Sequence, residues 1–148
     1  MQPGHVYFYT ATIKDWHKTI QEHSLEPIII ETFQFLVRQK LIAVYGFVIM
    51  PNHIHLIWEM LQMNKKETPV ASFMKFTAHQ FLEKLRSKDI KTLKPYEVDW
   101  INRKHNFWQR DSLALELYTE KVLVQKLHYI HVNPLKEKME IGCVTGRL

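Results

Sequence analysis

The sequence predicts an α+β fold of the ferredoxin-like kind, an antiparallel β-sheet with helices packed on one face. Three observations predict it. Runs of β-branched and aromatic residues at 5–13, 41–49 and 53–60 read as strands. Two segments with apolar residues at helical spacing, 27–39 and 68–86, follow the first and the third of these strands. A further extended stretch within 107–118 completes the order β-α-β-β-α-β. The chain has 148 residues, of which 46% are apolar, enough for one domain with its own core, so 1–148 is taken as a single unit.

Each element has a local reason. His5-Val6-Tyr7-Phe8-Tyr9-Thr10-Ala11-Thr12-Ile13 carries the aromatic and β-branched side chains of a first strand. Pro27 suits the first turn of a helix, and Ile28, Phe33, Leu36 and Val37 give that helix an apolar stripe as far as Gln39. Leu41 to Ile49 is a second strand, Pro51-Asn52 a turn, and His53 to Met60 a third strand paired with the second as a hairpin. Thr68-Pro69 opens a long amphipathic helix to about Arg86, lined on one side by Val70, Phe73, Met74, Thr77, Phe81 and Leu85. Ser87 to His105 is polar and irregular and predicts a mobile loop. Phe107-Trp108-Gln109-Arg110 and Leu113 to Tyr118 supply one more strand, and Thr119-Glu120 caps a final helix that runs to Pro134.

Composition narrows the class. The net charge is +5 and the pI about 9.3, which suits a nucleic-acid binder but is shared by many soluble proteins. The single cysteine, Cys143, excludes an internal disulfide and points to a reducing compartment. No leader-like stretch follows Met1, and the longest apolar run, Leu41 to Met50, is too short to span a bilayer. The expectation is a cytoplasmic protein with no membrane anchor.

Two short segments carry chemistry. On a strand, His53 and His55 share one face while Ile54 takes the other, with the two backbones about 7 Å apart. Such a pair can grip one metal ion with a third ligand from elsewhere. In Lys126-Leu127-His128-Tyr129-Ile130-His131-Val132-Asn133-Pro134, Tyr129 and Asn133 lie one turn apart on one helix face, with Gln125 a turn earlier. Pro134 stops the helix and leaves the Asn133 amide near its end. A phenol has a pKa of about 10 and attacks a phosphodiester slowly unless the developing charge is stabilised. A divalent ion can polarise the phosphate, and attack then leaves a covalent phosphotyrosine and a free sugar hydroxyl. Imidazole and amide donors suit Mg²⁺ or Mn²⁺ working with a phosphate oxygen. Taken singly, each feature has a plain alternative. A His-x-His pair is usually structural, a helical tyrosine is usually core, and Asn before Pro is usually a helix stop.

Together, Val48-Ile49-Met50-Pro51-Asn52-His53-Ile54-His55-Leu56-Ile57-Trp58, Phe107-Trp108-Gln109-Arg110-Asp111 and Tyr129-Ile130-His131-Val132-Asn133-Pro134 resemble, in order and spacing, the single-tyrosine HUH transposases, specifically the REP-associated and IS200-like tyrosine transposases. The similarity covers roughly His5 to Lys136. It implies a ferredoxin-like fold, single-stranded DNA with hairpins as partner, and nicking and joining through a 5′-phosphotyrosine. It implies His53 and His55 as metal ligands, Tyr129 as nucleophile and Asn133 as third ligand, with Mg²⁺ or Mn²⁺ as cofactor. Relatives often continue past the Asn-Pro step with a longer apolar tail, which is short here from about residue 135. A catalytically lapsed hairpin binder and a water-using metal hydrolase are the alternatives.

A DNA strand would meet cations. The candidates are Lys75, Lys84, Arg86 and Lys88 on the long helix, Arg103 and Lys104 in the loop, and Arg110 within the matching motif. Trp100, Phe107 and Trp108 lie among them and can stack on bases, although at least two of these rings are expected in the core. The loop 87–105 is expected to order on DNA. Both a monomer and a homodimer with sites shared in trans are compatible with the sequence, and the short connection before Thr119 favours a helix packed on its own sheet.

Overall fold

The computed structural model describes residues 1–132 and 140–142. Strand β1 (Val6–Thr12) leads through a 3-10 turn (Lys14–Trp16) and the one-turn helix α1 (Thr19–Glu22) to helix α2 (Glu26–Arg38). Strands β2 (Ile42–Ile49) and β3 (His53–Met60) precede the long helix α3 (Pro69–Lys88). A second 3-10 helix (Ile90–Tyr96), strands β4 (Glu97–Trp100), β5 (Arg103–His105) and β6 (Leu113–Glu116), helix α4 (Glu120–Val132) and strand β7 (Glu140–Gly142) follow.

The main sheet has the order β6-β1-β3-β2-β7 and is antiparallel at every pairing. Its first four strands are the split arrangement of a β-α-β-β-α-β unit, with β3 inserted between β1 and β2. Alternation along the strands gives each face its own core. Tyr7, Tyr9, Ala11, Ile54, Leu56 and Trp58 face α2 and α3, where Ile29, Phe33, Phe73, Phe81 and Leu85 are buried. Phe33 stacks on Phe73 with ring centroids 5.0 Å apart, and Phe73 meets Trp58 edge-on. The two helices of the pattern therefore cover one face, as the sequence predicts. Phe8, Val48, Met50 and Ile57 point to the other face, where Leu123, Leu127 and Ile130 of α4 cover them. The final helix, outside the six-element pattern, takes the face the other helices leave open.

Two segments differ from the sequence expectation. The stretch 87–105, which reads as an irregular loop, consists of the end of α3, a 3-10 helix and the β4–β5 pair. Leu93 and Tyr96 anchor it: both are buried, Tyr96 stacks on Phe107 at 4.7 Å, and its hydroxyl hydrogen-bonds Thr19. Two anchors in a polar segment are too few to produce a periodicity. Phe107 to Arg110 also lies outside β6: Trp108 forms a single bridge to Ile13, and both Phe107 and Trp108 are buried. Among the described residues no helix is long and apolar enough to cross a membrane.

Candidate functional site

The β2–β3 turn sets the two histidines. Across Pro51-Asn52 the Met50 N–H donates to the His53 carbonyl at 2.8 Å, and the Asn52 carbonyl accepts from the Ile13 N–H at 2.8 Å, tying the turn to the end of β1. His53 and His55 then leave β3 on the α4 face with ring centroids 4.7 Å apart. His55 is buried and stacks on Phe8 at 5.3 Å.

Both rings are held at Nδ1. His53 donates to the Asn52 side-chain oxygen at 2.6 Å, and His55 Nδ1 hydrogen-bonds the Thr10 hydroxyl at 2.8 Å. Thr10 is the direct partner of His55 in the β1–β3 register, so the contact follows from strand pairing. An amide oxygen only accepts, so His53 carries a proton on Nδ1, which leaves Nε2 as the nitrogen that can bind a metal. An oxygen partner at the second ring nitrogen is how metal-ligating histidines are oriented. Burial above all, then the neighbouring His53 and the Lys126 ammonium, hold the His55 imidazole down at about 4. The ring is neutral at pH 7, as a ligand must be.

Tyr129 reaches this pair from α4. The Thr119 hydroxyl caps the helix by accepting from the Val122 N–H at 3.2 Å. Gly46 lets the helix lie close, because a Cβ there would stand 3.1 Å from Leu127 Cδ2. The Tyr129 ring sits 5.5 Å from His55 and 5.9 Å from Phe8, edge-on to both, and is 45% exposed. Two neighbours hold the ring while solvent reaches the side chain.

The structure thus brings together His53, His55 and Tyr129. Asn133, the third expected ligand, lies outside the described residues. Among the described residues no group of three or more His, Cys, Asp or Glu is placed to hold a metal ion. The donor set on the page is therefore two oriented imidazoles, one of them neutral by burial. It fits a divalent ion that draws its remaining ligands from an amide, water or phosphate.

No family model and no curated protein matches the chain. Among solved structures, a REP-associated tyrosine transposase bound to a REP hairpin superposes with a TM-score of 0.57 at 20% identity, over 93% of this chain and 70% of the other. A candidate transposase from Deinococcus radiodurans R1 superposes with a TM-score of 0.52 at 15% identity, over 89% of this chain and 97% of the other. The likeness is one of fold.

The expected DNA-contacting cations are dispersed over the surface. Lys75, Arg103 and Arg110 line one cavity of about 570 Å³ between α3 and the 103–112 segment, with His79 and His105. Arg110 lies over the Trp100 ring at 4.4 Å and Arg103 at 5.9 Å, while Lys75 pairs with Glu67 at 3.5 Å. Lys84 donates to the Ser24 carbonyl at 2.7 Å and Arg86 pairs with Glu83 at 3.6 Å, so both are engaged locally. Lys88 follows Arg86 at the end of α3, and Lys104 is exposed on β5. Phe107 and Trp108 are core: the Trp108 indole donates to Thr77 at 2.9 Å. Four supporting residues escape a sequence reading: Thr10, whose role needs the strand register; Asn52, which reads only as a turn; Phe8, which reads only as strand; and Lys126. The last had a signal, its place one turn before Tyr129.

Proposed function

We propose that the chain is a single-tyrosine HUH transposase of the REP-associated kind, which nicks and rejoins single-stranded DNA at hairpin-bearing ends. The observation that carries this is the edge-on contact of Tyr129 with His55, residues from distant parts of the sequence that meet on the α4 face of the sheet. The fold likeness to a transposase bound to a REP hairpin supports the same reading, and with it a hairpin-bearing strand as partner.

In the reaction the Tyr129 phenolic oxygen attacks the scissile phosphorus and the bond from phosphorus to the 3′ oxygen breaks. The phenol loses its proton to solvent and the departing oxygen gains one, leaving a 3′-hydroxyl and a 5′-phosphotyrosyl ester. The ester is conserved, so attack by a 3′-hydroxyl on the same phosphorus restores Tyr129 and rejoins the strand. His53 and His55, with Asn133, would hold Mg²⁺ or Mn²⁺, which when bound offsets charge on the phosphate. Asn52 and Thr10 fix the two imidazoles through Nδ1, which would leave Nε2 of each for the ion, and Phe8 packs beside both His55 and Tyr129. Lys75, Arg103 and Arg110 would meet backbone phosphates. Tyr129 faces His55 of its own chain, the arrangement of a site that does not borrow its tyrosine from a second copy.

The test is a gel assay with labelled hairpin single strands and Mn²⁺ or Mg²⁺. The native chain should form a denaturant-resistant protein–DNA adduct that Tyr129→Phe does not form. Binding without an adduct would replace this function with that of a lapsed hairpin binder. Cleavage that persists in Tyr129→Phe would replace it with hydrolysis by water.

A further inference from the structure

The helix that delivers Tyr129 also delivers a cation that the mechanism above leaves unused. Lys126 stands one turn earlier on the same face of α4. Its Nζ lies 4.7 Å from the centroid of the Phe8 ring and 5.7 Å from that of Tyr129, within reach of both π-faces. The side chain is half-buried. Yet no carboxylate pairs with it: the ion pairs among the described residues are His5–Glu116, Lys14–Asp15, Lys75–Glu67 and Arg86–Glu83.

That combination has a chemical meaning. An ammonium set against aromatic faces, with no carboxylate paired to it among the described residues, has N–H donors left for an anion. Lysine is a compact point charge on a flexible stem, with three N–H donors that can turn toward an oxygen. The position of Lys126 over the Phe8 and Tyr129 rings puts positive charge beside the nucleophile.

We propose that Lys126 seats the scissile phosphodiester. Its ammonium donates to a non-bridging phosphate oxygen presented to Tyr129, and keeps that contact once the phosphotyrosyl diester has formed. The identity of the anion as a DNA phosphodiester rests on the transposase reading; the anion seat itself does not. Such a contact is charge-assisted and does not require the divalent ion.

Two measurements separate the ideas. In the first, dimethyl phosphate is titrated in EDTA, with the Phe8 and Tyr129 ring resonances followed by NMR. Saturable shifts are expected in the native chain and in Lys126→Arg. At least a tenfold weaker response is expected in Lys126→Met, whose straight side chain preserves packing on Phe8. In the second, adduct formation on hairpin DNA with Mn²⁺ is timed for the same proteins. Lys126→Met should slow it about tenfold, Lys126→Arg much less, and the salt dependence of strand binding should lose one phosphate contact, a slope change of about 0.7. Equal phosphate shifts in native and Lys126→Met protein, or none in either, overturn the seat, whether or not an adduct forms. Phosphate shifts lost in Lys126→Met while the native chain forms no adduct leave the seat standing and remove the transposase reading.

Discussion

Burial of His55 makes the stability of the site acid-sensitive by an amount the structure sets. The imidazole is held at about 4 in the folded chain, against 6.5 when it is free. Between those values the unfolded chain binds more protons than the folded one, so acid favours unfolding. The stabilisation is fully present above about pH 6.5, falls as the pH falls, and is spent below about pH 4. At 1.36 kcal/mol per unit the whole effect is about 3 kcal/mol, of which about 2 kcal/mol is lost between pH 7 and pH 5. Urea unfolding of the metal-free native chain and of His55→Gln, at both pH values, isolates this contribution, because other titrating groups are common to the two proteins. The stability gap between native and variant should narrow by about 2 kcal/mol on going from pH 7 to pH 5. A gap equal at the two pH values would show that His55 titrates alike in folded and unfolded chains, and would refute the buried, neutral imidazole.

Two substitutions test how the site is held. Gly46→Val forces a branched side chain into the space already taken by Leu127, and should cost about 1–3 kcal/mol in urea unfolding and abolish adduct formation by lifting α4 from the sheet. Unchanged adduct yield would mean that the helix approach is not set at Gly46. Thr10→Val keeps the shape beneath His55 but removes its hydrogen-bond partner, so Mn²⁺ affinity measured by calorimetry should weaken about 10- to 100-fold while the fold persists.

Legibility in the sequence followed the density of the physical signal. The hairpin that carries His53 and His55 is written in two long apolar runs around Pro51-Asn52, and the structure has it at nearly the expected bounds, Ile42–Ile49 and His53–Met60. The spacing of Leu123, Leu127 and Ile130 shows that α4 buries one stripe but cannot say on which sheet face. That choice is made by α2 and α3, which already fill the other. Trp108 has the same chemistry as a base-stacking platform or as core. Phe81, at 5.7 Å, and the Thr77 hydroxyl decide for core, and neither is adjacent in sequence. Thr10 became visible only through the register that pairs it with His55.

The same pairing relates the chemistry to the cations. Trp108 bridges Ile13, the Gln109 N–H donates to the Thr12 carbonyl at 2.8 Å, and Thr12 pairs with His53. Neighbouring strands lie about 4.8 Å apart, so the Gln109 and His53 backbones are two spacings apart, roughly 10 Å. Arg110 follows Gln109 directly and packs against Trp100, which Arg103 also approaches. These two arginines therefore belong to the end of the sheet where the histidines emerge, whereas Lys84 and Arg86 are committed to Ser24 and Glu83 near the end of α3. The cavity the two arginines line is walled by α3, whereas the histidines leave β3 on the α4 face, so the two groups meet only around that end of the sheet. From Gln109, bonded to Thr12 of β1, the chain carries Arg110 to the cavity that Lys75 and Arg103 also line.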